Sequence, residues 1–355
     1  MKNHSSKNIA KIVSSSNVDI YGDKTHDKNS NDLNKVDNQN TPQKSDVTFT
    51  ALGDIMMGGQ VGSNLNYMYI NAFKKIYSIT SSADITFATL NSDITNVSKI
   101  TQDTKSKYIV TKDAISAFQT LGIDSMSIAT EHMVDFTDDI FKNTVDILNK
   151  NQIYASGLNN TPVYFDKNNQ KIAIISANDV IIGTSTNYDR NNINIYDVNK
   201  MKQDITNAKQ HADFVIVNIN WGRDYVYGVT DRMKQIAKNA IDAGANLIIG
   251  NNALGIYPVV VYNNVPIIYS LGYLISDLDY NLAKQSFIYT FDIDTNTKIK
   301  SLTMVPIYVF QKSDVEPYFD YNSSEADEYI NQINTWNIQN GLNSSIVNNK
   351  IVINF

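Results

Sequence analysis

Six apolar runs in this sequence stop at short polar words, and these words hold most of the residues able to do chemistry. They are Gly53-Asp54, Asn91-Ser92-Asp93, Thr130-Glu131-His132, Asn178-Asp179, Asn220-Trp221-Gly222 and Gly250-Asn251-Asn252. Asp54, Glu131 and His132 offer the hard oxygens and the imidazole that a divalent Mn, Zn or Mg ion takes, with Asp93 as a further carboxylate. Imidazole is in short supply. Of the four histidines, His4 and His26 lie in the N-terminal stretch and His211 sits on a helical pattern, which leaves His132. Trp221 beside Gly222 reads either as a stacking wall for a ligand or as a half-buried core residue. Asp224 and Arg223 either bind a polar ligand or pair in solvent. No G-x-S-x-G elbow accompanies His132, and the glycines at 53, 58, 59 and 62 have the wrong spacing for a phosphate loop.

Residues so far apart along the chain meet only if a sheet gathers them. Strands are expected over residues 47–52, 83–90, 124–129, 171–177, 213–219, 246–249 and 266–271, where β-branched and aromatic residues cluster. Helical patterns lie between them. Thr111 is expected to cap a helix ending at Gly122, Thr137 or Asp138 to open one reaching about Asn149, and Thr230 to cap one that Gly244 closes. Strand and helix in alternation predict an α/β fold with a largely buried sheet. Ligands in such sheets bind beyond the carboxyl ends of the strands, which is where the six polar words fall.

The chain has 355 residues, of which 42% are hydrophobic and only 19% charged, against about 25% charged in an ordinary soluble protein. Asparagine makes up the polarity: there are 46 Asn, 27 Lys and 3 Arg, a bias that AT-rich codons explain most simply. A net charge of -6 leaves no basic footprint, which disfavours a nucleic-acid partner. Zero Cys removes disulfides, thiolate metal sites and thiol nucleophiles together. No run of about 18 to 20 apolar residues predicts a membrane-spanning helix. Residues 1–46 carry too few apolar side chains to offset the entropy of ordering and are expected to form a disordered tail or linker. Residues 311–355, with a helical pattern over 324–340 and an apolar strand over 350–355, are expected to pack as an extension of the domain formed by residues 47–310.

The run from Val47 to about Val309 resembles the CapA family of capsule or poly-γ-glutamate synthesis proteins. The residues that carry the resemblance are GDIMMGG at 53–59, SIATEHMVDF at 127–136, VNINWGRDY at 217–225, IDAGANLIIGNN at 241–252 and PIIYSLGYLISD at 266–277. The resemblance implies a layered, calcineurin-like metallophosphatase sandwich. It also implies a site, because the family's words GD, N-L-E, N-N-H, H-W-G and G-H-H-P-H put carboxylates and imidazoles at one end of the sheet. Here Gly53-Asp54 keeps the first, while Asn91 stands where Glu is expected. His132 survives beside Glu131. Asn220, Asn251 and Asn252 replace histidines, and Leu254 stands where the last would be.

This mapping implies a degenerate metal site with no cofactor, and a binding or assembly role in the synthesis, export or anchoring of an anionic polymer. The expected partners are that polymer or other synthesis proteins. The rival expectation is a metal-dependent phosphoester or amide hydrolase with a single ion on Asp54, Glu131 and His132. By resemblance the protein is expected at the cell surface or outside the cytoplasm, associated with a membrane through a segment absent from this chain.

Overall fold

The computed structural model describes residues 43–97, 100, 108–180, 193–222, 228–253, 255–278, 281–310, 312–318 and 324–355. The tail expectation therefore lies outside the described residues as far as residue 42. Residues 43–46 do not fit it. The Gln43, Ser45 and Asp46 carbonyls accept hydrogen bonds from the Asn169, Gln170 and Asn168 side chains, and Lys44 pairs with Asp213 at 2.8 Å.

The strands, in chain order, are β1 (Val47–Ile55), β2 (Ile85–Leu90), β3 (Asp93–Thr95), β4 (Ile109–Thr111), β5 (Ser125–Ser127), β6 (Tyr154–Ser156), β7 (Val163–Lys167), β8 (Gln170–Asn178) and β9 (Phe214–Asn220). They continue with β10 (Leu247–Asn251), β11 (Val260–Tyr262), β12 (Val265–Ile268), β13 (Tyr273–Ile275), β14 (Gln285–Ile293), β15 (Ile299–Phe310), β16 (Asp314–Pro317), β17 (Asn343–Val347) and β18 (Lys350–Asn354). The helices are α1 (Gly59–Asn64), α2 (Tyr77–Thr80), α3 (Ala114–Thr120), α4 (Asp138–Lys150), α5 (Val198–Lys209), α6 (Asp231–Asp242) and α7 (Ser324–Gln339). One sheet runs β17-β18-β15-β14-β1-β2-β5-β6, with β13 on β1 and β16 on β15. The other runs β11-β12-β10-β9-β8-β7, and β3 pairs with β4 apart from both. Residues 343–354 extend the first sheet, because β18 pairs with β15.

Period-two alternation along the strands separates the layers. Phe49, Phe87, Phe291, Ile174, Ile216 and Ile249 point between the two sheets and form one shared core. On the outer face of the first sheet, Phe118 of α3 and Phe141 and Leu148 of α4 cover Ala88, Leu90 and Met126. On the outer face of the second, Met201 and Ile205 of α5 and Met233 and Ile236 of α6 cover Ala173, Val215, Val217 and Ile248. The result is helix, sheet, sheet, helix: the layered α/β sandwich expected from the sequence. Each fully buried aromatic or aliphatic side chain stabilises this arrangement by roughly 1.5 to 3 kcal/mol before entropy is counted.

Helix ends follow the sequence signals with one shift. The Thr230 hydroxyl accepts the Met233 N–H at 3.2 Å, and Gly244 leaves α6 at φ +111°. Asp197 caps α5 by accepting the Asn199 and Lys200 N–H groups at 2.9 Å. Thr111, expected as a cap, is the last residue of β4 instead, and the helix starts after Asp113.

Asparagine has a structural use beyond codon bias. The hairpins β7–β8, β11–β12 and β17–β18 each turn on two residues, Asn168-Asn169, Asn263-Asn264 and Asn348-Asn349, all with φ between +49° and +63°. A two-residue turn with both residues left-handed matches strand twist and calls for Gly or Asn. Replacing Asn169, Asn264 or Asn349 by Ala should cost about 1 kcal/mol each, while Gly should be neutral or mildly stabilising. Urea midpoints of the six variants check this.

Candidate functional site

Strand register sets a row of amides across the second sheet. Asn178 of β8 lies opposite Asn220 of β9, and Asn220 lies opposite Asn251 of β10. These positions continue the inward-facing series that begins with Ile172, Phe214 and Leu247, so the shared core turns polar at the carboxyl ends of three parallel strands. The side chains are knitted together. Asn220 Nδ2 donates to Glu131 Oε2 at 2.5 Å and to Asn178 Oδ1 at 3.0 Å, and Asn218 Nδ2 donates to Asn251 Oδ1 at 2.5 Å.

The first sheet contributes Asp54 from the end of β1. A register shift between Ala51 and Asp54 marks a bulge there, and the Asp54 N–H donates to Gly272 O at 2.9 Å, tying the bulge to the segment before β13. Its Oδ2 accepts the Asn252 backbone N–H at 3.1 Å. Asn252 presents that N–H from a left-handed backbone, φ +68°, a conformation asparagine tolerates well. Burial pushes the Asp54 carboxyl up to about 8; the Asn252 N–H draws it down, the Glu131 charge raises it further, and the Asn251 amide, close by but outside good hydrogen-bond geometry, lowers it.

A second acidic corner lies on the far side of Glu131. His132 Nε2 is 3.5 Å from Glu131 Oε1, its Nδ1 bonds Asp135 Oδ2 at 2.8 Å, and its ring stacks on Tyr108 with centroids 3.5 Å apart. Asp93 Oδ1 accepts the Thr144 hydroxyl at 3.0 Å. Burial lifts the Asp93 carboxyl to about 8 against that bond, and the Asp135 charge adds to the rise. Asn91, just beyond β2, is buried, and its N–H donates to Ile55 O at 3.0 Å.

Of the residues the sequence singles out, the structure links Asp54, Glu131, His132, Asn220, Asn251 and Asn252 by direct contact or charge, and sets Asn91 beside β1 and Asp93 near Asp135. Trp221 goes elsewhere. It is fully buried among the residues covered by α5 and α6, and its Nε1 donates to Tyr269 O at 2.9 Å, so it is a core residue and no ligand wall. Gly250 makes room for it, since a Cβ there would meet Trp221 Nε1 at 2.3 Å. Arg223, Asp224 and Leu254 lie outside the described residues. Sequence reasoning takes Asn178 only as a strand end and misses Asn218 altogether. The signal for Asn218 is present in the chain: it stands two residues before Asn220, on the same strand face.

Among the described residues no three His, Cys, Asp or Glu side chains converge as an ion requires. Both Glu131 oxygens and both His132 nitrogens already face partners within the protein. What the site offers is polarity without a filled set of bonds. Asp54 Oδ1, Asn91 Oδ1, Asp93 Oδ2 and Asn220 Oδ1 are buried and have no hydrogen-bond partner among the described residues, a costly state that a bound group could relieve.

Comparison with known proteins adds a lineage. Residues 48–278 match the family model described as "Bacterial capsule synthesis protein PGA_cap". The chain is similar to the PGA biosynthesis protein CapA of Bacillus subtilis (strain 168), 25% identical over 255 residues that cover 69% of this chain and 67% of the relative. It is likewise similar to the capsule biosynthesis protein CapA of Bacillus anthracis, 25% identical over 284 residues covering 75% and 68%. Among solved structures, a hypothetical protein from Thermus thermophilus superposes with a TM-score of 0.48 at 9% identity, covering 74% of this chain and all of that one. A 5'-nucleotidase precursor from the same organism gives 0.45 at 11%, covering 82% and 60%.

Proposed function

The chain belongs to the bacterial capsule synthesis protein family, and on that premise we propose that it serves synthesis, export or surface anchoring of an anionic polymer such as poly-γ-glutamate by binding, without cleaving bonds. The observation that carries this reading is the amide row Asn178, Asn220 and Asn251, locked to Glu131 and Asn218 by short hydrogen bonds. The resemblance expects imidazoles at 220, 251 and 252 and a carboxylate at 91. A neutral amide is a weak ligand for Zn or Mn, yet it keeps a donor and an acceptor in nearly the same place. The site therefore retains recognition and loses the means to activate water. With a net charge of -6, contact with a polyanion runs through local polar groups or through other synthesis proteins.

Metal analysis of the purified protein tests the reading. Transition metal should be well under one equivalent, added Mn or Zn should leave the melting temperature nearly unchanged, and generic phosphodiesters should hydrolyse no faster than in buffer. The triple variant Asn91→Glu, Asn220→His, Asn251→His should bind Zn measurably more tightly, because the backbone positions already exist. Stoichiometric metal in the unmodified protein, with activity that Asp54→Ala abolishes, would replace this reading with a hydrolase.

A further inference from the structure

We infer that the protein carries a second binding site, in the cavity between α7 and the adjoining strands β14 and β15, and that it takes a compact organic cation, a primary ammonium or a guanidinium. Tyrosine rings form its wall. Tyr318, just after β16, stacks on Tyr308 of β15 with centroids 5.2 Å apart and meets Tyr329 of α7 edge-on at 5.7 Å. Tyr329 in turn lies against Phe287 with 5.3 Å between centroids, which anchors the wall to the core shared by the two sheets. The cavity has a volume of about 350 Å³, the lower end of the range for small-ligand sites. Gln285 of β14 and Glu325, Glu328 and Gln332 of α7 complete the lining. Every one of these residues lies beyond residue 278, where the match to the capsule synthesis family model stops.

Charge selects the ligand. Helix α7 holds Glu325, Asp327 and Glu328 and no Lys or Arg. Carboxylates in the first turn suit the helix dipole, which accounts for Glu325 and Asp327, but that effect fades within a turn and leaves Glu328 without a structural use. Among the described residues no ion pair involves Glu325 or Glu328. Lys75, which reaches β16, is held by Glu316 at 2.6 Å, and residues 319–323 contain no Lys or Arg. The Glu325 charge is felt at the wall: burial raises the Tyr318 phenol, the Gln285 amide, donating to it at 2.9 Å, lowers it, and Glu325 raises it again. Tyrosine rings attract a cation through their quadrupole, and the two glutamates at the exposed rim add to that attraction while repelling an anion. A neutral sugar would use the rings and leave the charge unanswered, and a metal ion would use the carboxylates and gain little from the rings. An organic cation uses both.

Calorimetric titration of the full chain at neutral pH and low salt tests the inference with n-butylammonium, methylguanidinium, neutral n-butanol and the blocked peptide acetyl-Gly-Arg-Gly-amide. The tightest of the three cations should bind at least about tenfold more strongly than butanol, the combined scale of a cation–π contact and an ion pair. The double variant Glu325→Gln, Glu328→Gln should bring that ratio toward one, and Tyr308→Leu should lower it at least about threefold, with melting curves showing both variants folded. Asp327→Asn removes the same kind of charge from α7 outside the lining and should leave the ratio unchanged. Peptide binding tighter than that of either small cation supports the site and identifies its source as a basic side chain of a partner protein; the reverse order supports it with a free amine or guanidine as the source. Equal weakening by Asp327→Asn, or no effect of Tyr308→Leu, would reduce the binding to diffuse charge attraction and overturn the site. Failure of all three cations, or binding no tighter than butanol, overturns it as well. None of these outcomes bears on the role proposed for the amide row.

Discussion

At pH 8 the protein should unfold at clearly lower denaturant than at pH 5. Burial raises the Asp54 and Asp93 carboxyls to about 8 in the folded state, whereas in the unfolded chain they return to about 3.9. Between those values the folded state holds protons that the unfolded state releases, so stability falls as pH rises through the window from about 4 to 8. The slope is about 1.4 kcal/mol per pH unit for each group at full effect, giving a loss on the order of several kcal/mol for the pair. Asp213, whose carboxyl is lowered despite partial burial by the Lys171 N–H and by Lys44, acts in the opposite sense and below about pH 4, outside this window. Asp54→Asn and Asp93→Asn imitate the protonated carboxyl. The double variant should be more stable than the parent at pH 8, with the difference shrinking toward pH 4. Urea titrations at four pH values decide the matter, and an unchanged pH slope in the double variant would remove both carboxyls from the explanation.

Gly53→Ala should be among the most damaging single substitutions in the chain, costing more than about 3 kcal/mol or preventing folding. A Cβ at Gly53 would stand 2.1 Å from Gly272 O and 2.7 Å from its carbonyl carbon, both backbone atoms that cannot swing aside. Gly272 O is also the acceptor for the Asp54 N–H, so relieving the clash would displace the carboxylate at the centre of the site. Gly341→Ala is the control: nothing lies within 4 Å of its Cβ, and only its φ of +81° resists the change, at about 1 kcal/mol. Comparable melting temperatures for the two variants would show that the β1–β13 approach is more yielding than its geometry implies.

All seven apolar runs of the sequence are strands in the structure, because a strand buried on both faces announces itself by continuous Val, Ile and Phe. The long antiparallel pair β14 and β15 is not legible in the same way: its inner residues, such as Phe287, Tyr289 and Phe291, alternate with Ile288, which packs on the opposite face, and with polar Thr290 and Asp292. The short strands β3, β4 and β13 carry too few residues for any period to register. In the site, composition reveals the ends of strands but not their register, and register is what aligns Asn178 with Asn220 and Asn251. Trp221 shows the same limit in reverse. Its fate is decided by the absence of a side chain at Gly250, far along the chain, which only the pairing of β9 with β10 brings alongside.

The placement of β1 bears on how the chain comes into being. Among the described strands it is the first synthesised, yet it lies between β2 and β14, with Thr50 opposite Thr290, 240 residues later. At ordinary translation rates that interval lasts roughly 10 to 50 s, during which one side of the central strand has no neighbour. Pairing across so long a loop is also slow once both halves exist. The half-made polypeptide is thus obliged to remain open and exposed along one side of a strand that the finished fold buries almost completely, the condition in which a nascent chain either is held extended by other factors or aggregates.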